Sequence, residues 1–340
     1  MRHAPWLWAR IDRYQKRQTH TSPEWYYRRG CRRLFDLAIR LQPQAIVATE
    51  VGCCEIAALI KRDFEMACPL VAVNGEYDSD RAWIQPEVDA YSVPSPVVRD
   101  ELAALGAPAW RIHDWGVPLA GEFHNGERRV DARRAVCGRL GLSSDRPIVL
   151  VSGGSEGLGR PDLVARRLLD LPSELQVIVL AGRSERLRHR AEGLAAGEAA
   201  ARLRVLGWTD AMATLMRAAD VFVSKLGHTF DEAMAVGLPL VALEPPPGSE
   251  WAQYRLLEKW SAGHAVSTLD QMAVAVERVI DARSRGFASG AARPDPRVDS
   301  AAVSIARWLV DAIGHRPASA VPVRSRVHTG VPLIVAGERE

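Results

Sequence analysis

Short apolar runs alternate along this chain with stretches in which apolar residues recur every three or four positions. The runs are AIVATE (45–50), LVAVNGE (70–76), DAYSVPS (89–95), PIVLVSGG (147–154), LQVIVLAG (175–182), LRVLG (203–207), DVFVSKLG (220–227), LPLVALE (238–244) and HAVS (264–267). Between them, residues 96–106, 161–171, 210–219 and 270–283 carry the helical period. A further amphipathic helix is expected near 300–314, with Val303, Ile305, Trp308, Leu309 and Ile313 as its apolar contacts. Strands alternating with helices of this length build parallel sheets covered by helices on both faces, so the expected class is α/β. Nearly unbroken apolar strands such as Val149-Leu150-Val151 suit burial on both sides. The apolar rhythm breaks at 119–146. That seam predicts a first domain over 1–125, a second over 145–290, a helix at 299–314 and a patternless tail at 316–340.

Composition narrows the partners. With 340 residues, 47% of them hydrophobic, the chain is large enough for two cores. A formal net charge of +3 and the lack of any Lys/Arg block argue against nucleic acid as a partner. Local charge is more informative, because the first forty residues are rich in arginine (Arg28, Arg29, Arg32, Arg33 and Arg40 among others) interleaved with Trp6, Trp8, Trp25, Tyr26 and Tyr27. Such a segment either rests on an anionic membrane surface or is a solvated helix whose aromatic rings reach the core. Cys31, Cys53, Cys54, Cys68 and Cys137 show no paired C-x-x-C spacing and no disulfide framework, which points to a reducing compartment. No apolar stretch reaches the roughly 18 residues of a membrane span. The expected location is therefore cytoplasmic, with any membrane contact peripheral and at the inner face.

Four polar or glycine-rich loops follow strands of the second half, where a parallel sheet binds its ligands. VSGGSEGLGR (151–160) brings Gly153, Gly154 and Ser155 after one strand, and its glycines let backbone N–H groups approach anionic oxygens. AGRSERL (181–187) places Arg183 just beyond another strand, either as a fork of donors for a diphosphate or as a surface partner of Glu185. SKLGHTFDEA (224–233) turns at Gly227 and His228 into a helix for which Thr229 is the expected cap. There Glu232 either closes a capping box with Thr229 or accepts hydrogen bonds from sugar hydroxyls. PPPGSEWAQ (245–253) gathers Ser249, Glu250 and Gln253 around one more helix start. Four such loops on one rim describe a nucleotide pocket better than four unrelated turns.

At these residues the chain resembles the processive diacylglycerol glycosyltransferases and plant-type monogalactosyldiacylglycerol synthases, with the peptidoglycan N-acetylglucosaminyltransferase as a more distant relative. The likeness covers roughly residues 70–285. Gly153 to Gly159 match a G-G-x-x-G-x-G loop, Ala181 to Ser184 a C-G-(R/K)-N loop, and Gly207 to Asp220 a segment opening G-W-T-D. Ser224 to Ala233 match K-x-G-G-x-T-x-x-E-A, and Pro247 to Gln253 match P-G-Q-E-x-x-N. The resemblance implies a GT-B type fold of two Rossmann-like, doubly wound domains, the second holding a UDP-sugar donor. It assigns Glu232 to the ribose hydroxyls, Gly227, His228 and Thr229 to the diphosphate together with Arg183, and Ser249, Glu250 and Gln253 to the sugar. It implies neither a metal nor any cofactor beyond the donor itself, and an inverting transfer to a lipid acceptor. Glu76 and Asp80 fall in the segment matching T-D-F-x-x-H-x-x-W and are the candidate catalytic residues, Glu76 keeping a carboxylate where the family has one and Asp80 replacing its histidine.

The chain also departs from that pattern. Ser224 and Leu226 replace the lysine and first glycine of K-x-G-G, although Lys225 stands one step away, and Ser249 and Gln253 replace the glutamine and asparagine of P-G-Q-E-x-x-N. The family's first strand and its G-G-G-H or G-N-G-H loop have no counterpart, so the first domain is expected to be incomplete. A partner chain supplying that segment is one expectation. Beside the transferase reading stand a non-catalytic UDP-sugar-binding subunit and a UDP-sugar epimerase of the same two-domain plan.

Overall fold

The computed structural model describes residues 23–154, 157, 160–172, 174–243, 251–285 and 300–314. It divides into two units. One gathers residues 23–74, 79–115 and 304–314; the other gathers 75–78 and 116–303.

In the first unit, β1 (Ile46–Ala48), β2 (Leu70–Val73), β3 (Ala90–Ser92) and β4 (Ile112–His113) form a parallel sheet whose spatial order follows the chain. β4 is a strand that the apolar pattern did not announce, because it has only two residues. The pleat sends alternate residues of β2 to opposite faces. Leu70 and Ala72 join the cluster formed with the helices Val51–Asp63 and Pro96–Ala104, through Cys54, Ala57, Ala58, Val98 and Leu102. Val71 and Val73 meet Ile305, Trp308 and Leu309 of the helix Ala301–Gly314, whereas Val303 and Ile313, also expected as contacts, are exposed. Two helices before β1, Glu24–Gly30 and Arg32–Leu41, bury Phe35 against Ile56, Leu59 and Ile60. The remainder of the arginine- and aromatic-rich opening, residues 1–22, lies outside the described residues, as does the tail from 315.

In the second unit, β5 (Ile148–Ser152), β6 (Gln176–Leu180), β7 (Leu203–Leu206), β8 (Val221–Ser224), β9 (Leu240–Leu243) and β10 (Gly263–Val266) form one parallel sheet in the order β10-β9-β8-β5-β6-β7. Counted from β5, that order is 3-2-1-4-5-6 read from the β7 edge, the doubly wound arrangement. Alternation divides the core in two. Ile148, Leu150, Ile178 and Phe222 face the helices Met212–Ala218 and Thr229–Val236, whereas Val149, Val151, Val177 and Val223 face the helices Pro161–Leu169 and Leu269–Ser284. The break in rhythm at 119–146 contains a helix of its own, Arg129–Leu140, whose Ala132, Val136 and Cys137 are buried. Its pattern was hidden by arginines with a structural task. Arg129 and Arg133 donate to Asp220 at 2.6 and 2.9 Å, and Asp220 also accepts from the backbone N–H of Ile148 at 2.8 Å. This joins the starts of β5 and β8 at the end of the sheet opposite the candidate loops.

Candidate functional site

Winding reverses between β5 and β8, which are paired in register with Ser152 beside Ser224. The two connections leaving their carboxyl ends run to opposite faces of the sheet and open a crevice there. Gly153 and Gly154 follow β5. Gly154 has φ +72°, which a residue with a Cβ adopts only at a cost, and its N–H is held by Ser152 Oγ at 3.1 Å. Ser155 lies outside the described residues. Across the reversal, Lys225, Leu226, Gly227 and His228 follow β8 and lead into the helix Thr229–Val236. The site of Gly154 faces Lys225, since a Cβ built on it would stand 4.0 Å from Lys225 Cε. The structure therefore brings the first and third loops together at the switch point.

The helix start corrects one expectation. Thr229 is not the cap: the helix begins at Thr229, the capping position is His228, and no side chain makes the capping hydrogen bond. The turn at Gly227 advances the helix by one residue, so Thr229 and Glu232 no longer have the spacing of a capping box. Glu232 has no hydrogen-bond partner among the described residues, and burial, with the charge of Glu122 adding to it, raises its pKa from 4.5 to about 7. A half-buried carboxylate left unengaged by its own helix is available to a ligand.

Arg183 stands at the end of β6, exposed, its guanidinium stacked on the Trp208 ring 4.0 Å from the centroid. Glu185, the alternative partner, lies 3.9 Å from Arg188 instead. The stack keeps the guanidinium edges open to donate in the plane of the ring. In the helix Trp251–Lys259, Gln253 is buried at 5% exposure. Its amide donates to the Gly227 carbonyl at 3.3 Å, and its Oε1 has no partner among the described residues. Tyr254 accepts from the N–H of Leu226 at 3.3 Å, so this helix supports the turn after β8 from beneath. Ser249 and Glu250 lie outside the described residues.

The two candidate catalytic carboxylates fall in different units. Glu76 is exposed and belongs with the six-stranded sheet; Asp80 belongs with the four-stranded one. Asp80 caps a short 3-10 turn, Arg81–Trp83, by accepting from the Ala82 N–H at 2.8 Å.

Sequence reasoning gave no site role to two residues of this neighbourhood and did not foresee their pairing. Asp231 is 8% exposed, accepts from the Tyr77 hydroxyl at 2.6 Å, and has its pKa raised by burial from 3.8 to about 7. The helical period held the signal for it: position 231 shares a face with Met234, which is 2% exposed. Tyr77 stands 154 positions away from Asp231 and gave no local sign of the pairing.

A doubly wound parallel sheet with a glycine turn and a helix start flanking its reversal, joined in one chain to a second parallel sheet, is the plan of a GT-B type fold with two Rossmann-like domains. Residues 162–281 match the family model described as glycosyl transferases group 1. The processive diacylglycerol beta-glucosyltransferase of Staphylococcus carnosus is 24% identical over 260 residues, 76% of this chain, and the chain spans 64% of that relative's length. The likeness to the processive diacylglycerol glycosyltransferases drawn from the motifs therefore holds. Among solved structures, HepE of Anabaena in complex with UDP-glucose matches with a TM-score of 0.54 and 14% identity over 83% of this chain and 81% of that one. A Listeria monocytogenes protein described as a putative UDP-N-acetylglucosamine 2-epimerase matches with a TM-score of 0.59 and 15% identity over 83% and 77%. Among the described residues no helix is long and apolar enough to cross a membrane.

Proposed function

We propose that this protein is a UDP-sugar-dependent glycosyltransferase that moves a hexose or N-acetylhexosamine to a diacylglycerol-like lipid with inversion at the anomeric carbon. The observation that carries the reading is the switch-point crevice, with the Gly153-Gly154 turn on one side and the His228 helix start and unengaged Glu232 on the other. Backbone N–H groups of a helix start carry partial positive charge and suit a diphosphate. In this reading Lys225 and Arg183 add charge there, Glu232 accepts from the ribose hydroxyls, and Gln253 Oε1 accepts from a sugar hydroxyl. No metal is invoked, because those groups offset the diphosphate as UDP leaves. Glu76 serves as the base that takes the proton of the attacking hydroxyl. Asp80, already engaged as a cap, is the weaker of the two catalytic candidates.

The lipid acceptor rests on the name of the Staphylococcus relative. A peripheral position at the inner face of the membrane has support in the exposed Trp25 and Tyr26 on a helix that also carries Arg28 and Arg29. A partner chain remains part of the same proposal. Titration of the full chain with UDP tests the reading, with saturable binding as the expected result. An isotherm without saturation, or one unchanged by Glu232→Ala, removes its basis.

The likeness to the Listeria protein favours one rival, an epimerase acting on a UDP-sugar. Incubation with UDP-N-acetylglucosamine followed by proton NMR separates the two. Inversion at C2 without any acceptor would establish the rival, and sugar appearing on diacylglycerol vesicles from UDP-glucose the transferase.

A further inference from the structure

Residues 75–78 follow β2 in sequence yet pack in the unit of the six-stranded sheet. Three contacts hold them. Gly75 lies so near His228 that a Cβ placed on it would meet Cε1 at 3.2 Å. The Tyr77 ring packs edge-on against Phe230 and Trp260, with centroids 5.8 and 5.7 Å apart. Its hydroxyl donates to Asp231 Oδ1 at 2.6 Å. His228, Phe230 and Asp231 all belong to the start of the helix that carries Glu232, and Glu76 stands between the two anchored residues Gly75 and Tyr77.

Packing alone does not call for Asp231. Its Oδ2 is buried without a partner among the described residues, a state that costs free energy, and a leucine of similar size would fill the same space without that cost, giving up only the acceptor for the Tyr77 hydroxyl. What the carboxylate supplies is direction: an acceptor at one point that fixes the Tyr77 hydroxyl, and with it the rotation of the segment on either side.

We propose that Tyr77 and Asp231 are positioning residues that clamp the Gly75–Asp78 segment to the start of the helix Thr229–Val236 and so hold the Glu76 carboxylate at the donor-binding turn. The role of Glu76 rests on the function proposed above; the clamp itself does not.

The test uses the intact 340-residue chain and its Tyr77→Phe, Asp231→Leu and Asp231→Asn variants. Tyr77→Phe keeps the ring and removes only the donor; Asp231→Leu removes the acceptor; Asp231→Asn keeps one. Amide exchange at residues 75–78, followed by mass spectrometry, is expected to be about five- to tenfold faster in Tyr77→Phe and Asp231→Leu and close to wild type in Asp231→Asn. In transfer from UDP-glucose to diacylglycerol vesicles, the first two variants are expected to lose ~10- to 100-fold in kcat, with KM for UDP-glucose and affinity for UDP changed less than about twofold. Unchanged exchange in Tyr77→Phe overturns the clamp. Faster exchange with unchanged kcat overturns the positioning role and leaves a purely structural anchor. Absence of UDP binding in the wild type alongside the expected exchange pattern would sink the nucleotide reading and leave the clamp standing.

Discussion

The two parallel sheets differ in one respect that decides where chemistry can sit. The four-stranded sheet advances in chain order from β1 to β4, so its connections never diverge from a shared boundary. The six-stranded sheet starts in its middle and reverses between β5 and β8, which parts the connections and leaves a crevice at their carboxyl ends. The carboxylates follow the same division. Asp80, in the first unit, is used up as a cap, whereas Glu232, beside the reversal, has no partner among the described residues. Opposite the crevice, Asp220 accepts from two arginines and one backbone N–H, so one end of the same sheet is committed to stability and the other is left open.

Substitutions can break or sharpen that contrast. Asp220→Ala should have the largest effect, because it leaves Arg129 and Arg133 without their carboxylate at the joined starts of β5 and β8. A loss of about 3 to 5 kcal/mol in urea unfolding is expected. A loss confined to one of two unfolding transitions would assign it to the six-stranded unit. Glu232→Ala should weaken UDP binding by about 1.5 to 3 kcal/mol in calorimetry, the worth of a hydrogen bond to a charged group, and cost no unfolding free energy, because it removes a carboxylate that burial penalises. Asp80→Ala should do the reverse, costing about 1 kcal/mol of stability as a lost cap and leaving UDP affinity as it was. If Asp80→Ala weakened UDP binding as much as Glu232→Ala, the division between the two sheets would fail.

A further effect concerns pH. Burial raises the pKa of Asp231 from 3.8 to about 7, so between those values the folded chain holds a proton that the unfolded chain has released. Stability from this group is therefore full at low pH and declines as pH rises towards about 7, after which it is level. Glu232, also raised to about 7, acts in the same direction. Between pH 5 and pH 8, Asp231→Asn should lose less unfolding free energy than the wild type, and equal losses would contradict the assignment.

Much of this architecture was legible because long buried strands announce themselves. Val149-Leu150-Val151 and its neighbours are apolar on both faces, which only a covered parallel strand requires. β4 was too short to register, and the helix Arg129–Leu140 was masked by arginines directed at Asp220 rather than at solvent. At the site, the glycines that follow β5 and β8 were readable because a strand leading into a helix through glycine has few alternatives. The register of the helix start was not, because a change of one residue at Gly227 converts a capping box into an unengaged carboxylate and leaves composition untouched. The Tyr77–Asp231 pair was beyond local pattern altogether, since it depends on how the chain returns and not on any spacing within it.

The placement of Tyr77 also governs how the polypeptide can be dissected. A fragment beginning at Gly116 would contain every strand of the larger sheet yet lack the ring that covers Phe230 and Trp260 and the hydroxyl that answers Asp231. Its cut surface would offer two bare aromatic faces around an unanswered acid, so the excised six-stranded half would be sticky at the spot where the intact chain is closed.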